Sequence, residues 1–330
     1  MLGFVFLTND RRNMQKLMIE TTVTKMLADT FTPVGIYLRL RDRYRDTILL
    51  ESTDSHAAEN SYSFIGVNAI GGIEISSLNE IEYKYPNQEP EKETIKNVHD
   101  APDRIWAYMQ QYEMKGAVNE AAFAQGLYGY TAYDAIPFFD TIQFKEGAPI
   151  IPLMRYRLYQ YVIAFNHFKD EIFICENKIA GIASDYNALV SYIKSKDLPQ
   201  YPFSIKGEES SNLTDEQYRE AVKKGIQHCM RGDVFQIVLS RRFQQSFQGD
   251  EFNVYRTLRN INPSPYLFFF DYGDYKLMGS SPEAQIIIKN GKAIVHPIAG
   301  TFKRTGDEAK DAEMTQQLLD DPKENAEHVM

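Results

Sequence analysis

Between Gly279 and Thr301 the sequence carries chemistry-bearing residues at both ends, Ser281-Pro282-Glu283 at one and Gly300-Thr301 at the other. Asn290-Gly291 lies midway between two β-branched runs, and a two-residue type I′ turn needs φ > 0 at both central positions, which these residues tolerate best. With the turn there, Ile288 faces Ala293, Gln285 faces His296 and Glu283 faces Ile298. A carboxylate then sits beside a Gly-Thr backbone, an arrangement that can serve an active site. Taken alone, Glu283 reads as a strand-end carboxylate in water. Glu327 and His328 fall in the first turns of an expected terminal helix, where the bland reading is a solvated face. Gln236 sits in the apolar run Val234–Ser240, read as a strand with Phe235, Ile237 and Leu239 on one face. It gains a site role only if its own face lines a cavity.

The elements that must position these groups follow from local signals. After Thr32-Pro33, Val34 to Arg41 alternates apolar and polar and predicts a half-buried strand. Short β runs follow at 47–52, 62–66 and 69–76, then a helix capped by Asp100 with Pro102 early in it. Glycines among the aromatics of 126–134 lack the second Gly pair and βαβ context of a dinucleotide loop and predict close strand approach instead. Residues 155–166 and 171–175 read as a hairpin joined at 167–170, and 184–196 as a helix. Residues 197–213, rich in Pro, Ser, Gly and Glu without periodicity, read as a linker, which divides the chain into an amino-terminal region, 1–213, and a carboxyl-terminal one, 214–330.

Thr214-Asp215-Glu216-Gln217 is a capping box opening a helix whose inward stripe is Tyr218, Ala221, Val222, Gly225 and Cys229, with Gly232 ending it. Strands at 266–272 and 275–279 flank a Gly273-Asp274 turn. A second capping box at Thr305-Gly306-Asp307-Glu308 opens a helix to about Leu319, and Asp321-Pro322 opens the last. The sequence stops at Met330 inside that element, so a truncated carboxyl end is expected. Mixed short strands and helices without regular βαβ alternation give an α+β class with largely antiparallel sheets.

Composition narrows the partners. The chain has 330 residues, 43% hydrophobic and 13% aromatic, enough for a sizeable core. A net charge of −9 with only short basic runs excludes a nucleic-acid footprint. No stretch reads as a membrane span, and Met1 to Leu7 lacks a basic start and a cleavage site, so no signal peptide is expected and Met14 is a candidate first residue. Two separated cysteines, Cys175 and Cys229, suit structural thiols in a reducing cytoplasm.

Five motifs occurring in one order carry a family resemblance. They are Gly232 to Phe243, Asn262-Pro263-Ser264-Pro265-Tyr266, Gly279 to Glu283, Pro297-Ile298-Ala299-Gly300-Thr301 and Asp321 to Met330. Together they resemble the chorismate-utilising enzymes, and within them the large subunits of anthranilate synthases. Leu49-Leu50-Glu51-Ser52 with 61–66 resembles the amino-terminal region of the same family.

The resemblance implies two face-packed, mainly antiparallel β-sheets flanked by helices in α/β/β/α layers. It implies a Mg²⁺-dependent lyase reaction in which ammonia attacks C2 of chorismate, the C4 hydroxyl leaves and pyruvate is eliminated. By motif, Glu283 corresponds to the general acid, Gly300 and Thr301 to the ring-carboxylate cradle beside Ala299, and Glu327 to a Mg²⁺ ligand. Gln236 stands where relatives that add water carry a lysine, and Ala299 where aminodeoxychorismate (para-aminobenzoate) synthases carry a nucleophilic lysine. Both favour ammonia use and anthranilate as product, with the aminodeoxychorismate reaction the alternative and a catalytically incomplete binding or scaffold fragment a second. Glu51, Ser52, Asn262, Pro263, Ser264, Pro265 and Tyr266 correspond to elements that bind feedback tryptophan far from the active site. No glutaminase signature is present, so ammonia is expected from a glutamine amidotransferase partner, component II, or from solution.

Overall fold

A computed structural model describes residues 16–52, 61–142, 144, 149–298 and 300–330. The readings made at Met1 to Leu7, at Met14 and at Ala299 lie outside the described residues. The chain divides into two compact units, Met1–Leu198 with Leu258–Met330, and Pro199–Thr257. The boundary read at 213 falls within the second of these.

The first unit begins with β1 (Leu17–Leu27), α1 (Pro33–Leu40), β2 (Thr47–Glu51) and the long β3 (Tyr62–Ser77). There follow β4 (Glu80–Lys84), β5 (Glu91–Thr94), α2 (Ala101–Met109), β6 (Tyr112–Gly116), β7 (Tyr128–Thr131), β8 (Met154–Asn166), β9 (Glu171–Lys178) and α3 (Tyr186–Ile193). The second unit holds β10 (Phe203–Ser211), α4 (Asp215–Met230), β11 (Phe243–Gly249) and most of α5 (Phe252–Ile261). Back in the first unit come β12 (Tyr266–Asp271), β13 (Lys276–Ser281), β14 (Ile287–Lys289), β15 (Lys292–Ile294), α6 (Glu308–Asp320) and α7 (Pro322–Val329).

The α+β class with mainly antiparallel pairing is as the sequence indicates. Eleven strands pair along β13-β12-β2-β3-β8-β9-β1-β6, with β4, β5 and β7 branching off, and β1–β6 is parallel. The branching has a local cause. Asn68 takes φ 59° and the β3–β8 register shifts between Ala69 and Gly71, so the two halves of β3 diverge. The first half pairs β2, with Leu49 opposite Ile65; the second pairs β4, with Ile73 opposite Tyr83. β8 divides likewise between β9 and β7.

One apolar cluster gathers around Ile73, Ile81, Tyr108 and Leu158, and another around Ile48, Tyr159, Val162 and Phe270. Each fully buried aliphatic side chain contributes about 1.5–3 kcal/mol from leaving water. β7 can lie on β8 because residue 129 is glycine: a Cβ there would stand 1.9 Å from the Arg155 carbonyl oxygen.

Several elements differ from the sequence reading. Residues 33–40 are helical, because Thr32 Oγ1 accepts from the Gly35 amide at 3.0 Å, Pro33 fills the first turn and both faces are buried, so alternation there never marked a strand. Asp100 makes no side-chain cap; a 3₁₀ turn capped by Asn97 leads into α2. Part of the expected linker is β10, paired with β11. The Thr214–Gln217 capping box forms, whereas α6 is capped by Asp307 and Thr305 bonds Asp311 instead. Residues 234–240 form no strand.

Candidate functional site

The Asn290-Gly291 turn is present, with φ 53° and 71°, and the register is the expected one, Ile288 opposite Ala293. The ladder ends at Ile287–Ile294, so the anticipated Gln285–His296 and Glu283–Ile298 ladder pairs are not made. Pro282 has no amide to offer. The next residue turns onto Ser281, whose Oγ accepts from the Glu283 amide at 3.2 Å and donates to its carbonyl at 3.1 Å.

Glu283, His296 and Ile298 nonetheless converge on a cavity of about 1160 Å³ within the first unit. Its walls come from the end of β2, the start of β3, β7 and the β12–β13 pair, and most of its lining is apolar or aromatic. Glu51 and Ser52 line it, as do Pro265 and Tyr266. Strand register explains the meeting: Leu267 is opposite Glu51 on one side of β12, and Tyr266 is opposite Ser281 on the other. Elements expected far from the acid, those of the tryptophan pocket, thus share a cavity with Glu283.

Glu51 is only 3% exposed and takes a charge-assisted hydrogen bond from Arg259 Nε at 3.0 Å. His167, bonded to Ser63 Oγ at 2.7 Å, has its pKa lowered by burial and by the Arg259 charge. Asn262, Pro263 and Ser264 do not line the cavity. Asn262 uses its carbonyl to accept from Ser280 Oγ at 2.7 Å, and Ser264 Oγ accepts from the Tyr266 amide at 3.3 Å. They shape the turn that delivers Pro265 and Tyr266.

Other expected site residues lie elsewhere. Gly300 and Thr301 are not on the cavity, and a Cβ at Gly300 would stand 1.7 Å from Glu324 Oε2, so that carboxylate occupies the space a side chain would need. Glu327 is half-buried on α7, one turn from Glu324, which puts two carboxylates on one helix face. Hard carboxylate oxygens of this kind suit Mg²⁺, which takes one or two of them beside substrate oxygens and water. Among the described residues no group of three or more His, Cys, Asp or Glu side chains converges as a metal cage. Gln236 is exposed in the second unit on no strand, because 234–240 finds no ladder partner among the described residues, so the expectation of a polar group on a strand face fails.

Residues missed at the sequence level include Tyr130 and Phe64 on the cavity and Glu324 against Gly300. The alternation of Tyr128-Gly129-Tyr130 is the one signal that pointed to the first. Cys175 is buried and burial pushes its thiol up to about 12, which makes it a core residue; Cys229 is half-buried. Among the described residues no helix is long and apolar enough to cross a membrane.

The chain belongs to the chorismate binding enzyme family, whose sequence model matches residues 75–330. It is similar to anthranilate synthase component 1 of Aquifex aeolicus strain VF5, 33% identical over 93% of this chain and 64% of that protein. It is also similar to the Bacillus pumilus protein of the same name, 30% identical over 97% and 65%. Among solved structures, anthranilate synthase component I from Streptococcus pneumoniae TIGR4 superposes with a TM-score of 0.60 at 26% identity, over 92% of this chain and 66% of that one. The menaquinone-specific isochorismate synthase of Escherichia coli, at 12% identity and TM-score 0.57 over 96% and 63%, shares the fold. The chain spans about two thirds of the length of the curated relatives it matches.

Proposed function

We propose that this protein acts as component I of an anthranilate synthase in the cytoplasm, converting chorismate and ammonia to anthranilate, pyruvate and water. The observation that carries the reading is the likeness to anthranilate synthase component 1 along 93% of the chain, together with alanine at 299. Alanine has no amine to attack the substrate ring, so ammonia itself must form the C2–N bond.

In this reading Glu283 gives its proton to the departing C4 hydroxyl, which leaves as water, and the Gly300 amide and Thr301 hydroxyl hold the ring carboxylate. By motif alone, Gln236 corresponds to the position where relatives that add water carry a lysine base, and an amide cannot serve as that base. Glu327, with Glu324 beside it, holds Mg²⁺, which when bound neutralises charge on substrate oxygens. A glutamine amidotransferase subunit delivers ammonia. Glu51, Ser52, Pro265 and Tyr266 bind tryptophan as feedback ligand, and the buried Glu51 carboxylate suits its ammonium group.

The test incubates the protein with chorismate, Mg²⁺ and ammonium and identifies the product. Anthranilate fluorescence is expected; aminodeoxychorismate, trapped as 4-aminobenzoate by adding its lyase, sinks the assignment. Glu283→Gln is expected to lower turnover at least about 100-fold, the span general acid catalysis commonly supplies, and wild-type turnover would remove it from the acid role.

A further inference from the structure

Tyr130 lines the cavity from β7, and its phenol is fixed by a chain of hydrogen bonds whose direction can be worked out. Its hydroxyl donates to the Pro152 carbonyl at 2.9 Å, and a carbonyl can only accept. A phenol has one proton, so in the 2.7 Å contact with the Tyr275 hydroxyl Tyr130 must be the acceptor. Tyr275 then has no proton left, and Arg155 Nη1 donates to its oxygen at 3.2 Å.

Arg155 is itself held. Its Nε pairs with Glu74 Oε2 at 2.9 Å, an oxygen that also accepts from Arg157 Nη2 at 2.9 Å, and its guanidinium lies 4.6 Å from the Tyr272 ring centroid. The order is therefore Arg155 to Tyr275 to Tyr130 to Pro152, one-way and charge-assisted at its head. Burial, with the Tyr275 hydroxyl second, raises the Tyr130 pKa far above the ordinary phenol value, so the order holds throughout the neutral range.

The consequence concerns what a ligand meets. Tyr130 has its proton committed to Pro152 and an acceptor position filled by Tyr275, so it presents ring to the cavity beside the apolar walls of Phe64 and Phe268. We propose that Tyr130, positioned by Tyr275 and Arg155, sets the specificity of the cavity for an unhydroxylated aromatic ring. This rests on the reading of the cavity as an aromatic amino-acid pocket. A hydroxyl brought against this wall loses water and finds no partner on Tyr130, and an unmade buried hydrogen bond is costly.

Calorimetric titration of the protein with L-tryptophan and with 5-hydroxy-L-tryptophan tests this. Wild type is expected to prefer tryptophan by about tenfold, in line with the loss from one unpaired buried hydroxyl. Tyr275→Phe keeps the ring but leaves the Tyr130 oxygen free to accept from a ligand hydroxyl, so the preference should narrow to about twofold. Tyr130→Phe, and the double variant Tyr130→Phe/Tyr275→Phe, remove that acceptor and should keep the preference at about tenfold. The double variant controls for any general loosening caused by Tyr275→Phe, and thermal unfolding of each variant checks that it is folded. An unchanged preference in Tyr275→Phe overturns the proposal while leaving the pocket reading intact, as does equal binding of both ligands by wild type. Wild type that binds neither ligand overturns the pocket reading and this inference with it. If Tyr275→Phe does not fold, Tyr275→Leu, which likewise removes the hydroxyl that fills the Tyr130 acceptor position, takes its place, with the same narrowing expected and an unchanged preference equally fatal.

Discussion

Thr47–Glu51 and Val234–Ser240 are written alike, each an apolar, β-branched run carrying one polar residue expected to matter, Glu51 in the first and Gln236 in the second. Only the first is a strand. β2 has β3 on one side and β12 on the other, and each supplies ladder partners along its length. The second run has no ladder among the described residues, and Phe235 is 96% exposed. Residue preference is therefore the weaker half of strand formation. What decides is whether neighbouring backbones pair the amides and carbonyls and cover the side chains.

The largest effect that sharpens this contrast belongs to the middle of the paired region. Phe269 on β12 is fully buried and packs edge-on against Tyr37, with ring centroids 5.8 Å apart. Phe269→Ala is expected to lower unfolding free energy by about 3–5 kcal/mol, read from urea midpoints. A loss under about 1 kcal/mol would mean that β12 is not the packed centre it is taken to be here. Next comes Arg259→Ala, which deprives the buried Glu51 carboxylate of a charged donor and should cost about 1.5–3 kcal/mol. Glu51→Gln in that background should recover part of the loss, because an amide needs no countercharge; absence of recovery would show that Arg259 acts by packing alone.

Local chemistry without sheet partners should give smaller numbers. In the second unit Thr214 Oγ1 accepts from the Gln217 amide at 3.2 Å while the Gln217 side chain accepts from the Thr214 amide at 2.8 Å. Thr214→Ala should therefore cost about 1 kcal/mol. Hydrogen exchange at the first turn of α4 should quicken to match, and unaltered exchange there would argue that the cap is redundant.

The same division separates what could be read in the sequence from what could not. Asn290-Gly291, the Thr214 box and the β8–β9 hairpin were legible because a few adjacent residues settle each of them. The helix at 33–40 was misread since alternation of Val34, Ile36, Leu38 and Leu40 carries no sign of the cap and Pro33 start outweighing it. β1, β10 and β11 went unseen because distant strands define them. The candidate site divides likewise. Glu51, Pro265, Tyr266 and Glu283 were each picked out by motif, but their convergence on one cavity depends on the β2–β12–β13 order, which no motif carries. Tyr275 escaped notice for the same reason: its partner Tyr130 is brought to it through the sheet.

The smallest expected effect is the sharpest test of the comparison. Phe235→Ala removes a ring that water already surrounds, so no buried area is lost and no cavity is left. Unfolding free energy should move by no more than about 0.5 kcal/mol, with the urea dependence unchanged. The same substitution in a paired, covered strand would cost several times that. A loss above about 1 kcal/mol would therefore mean that residues 234–240 find a backbone partner in solution and bury this ring against it. The two runs would then be alike in fact as well as in writing, and Gln236 would regain the strand face from which a side-chain amide can serve a site.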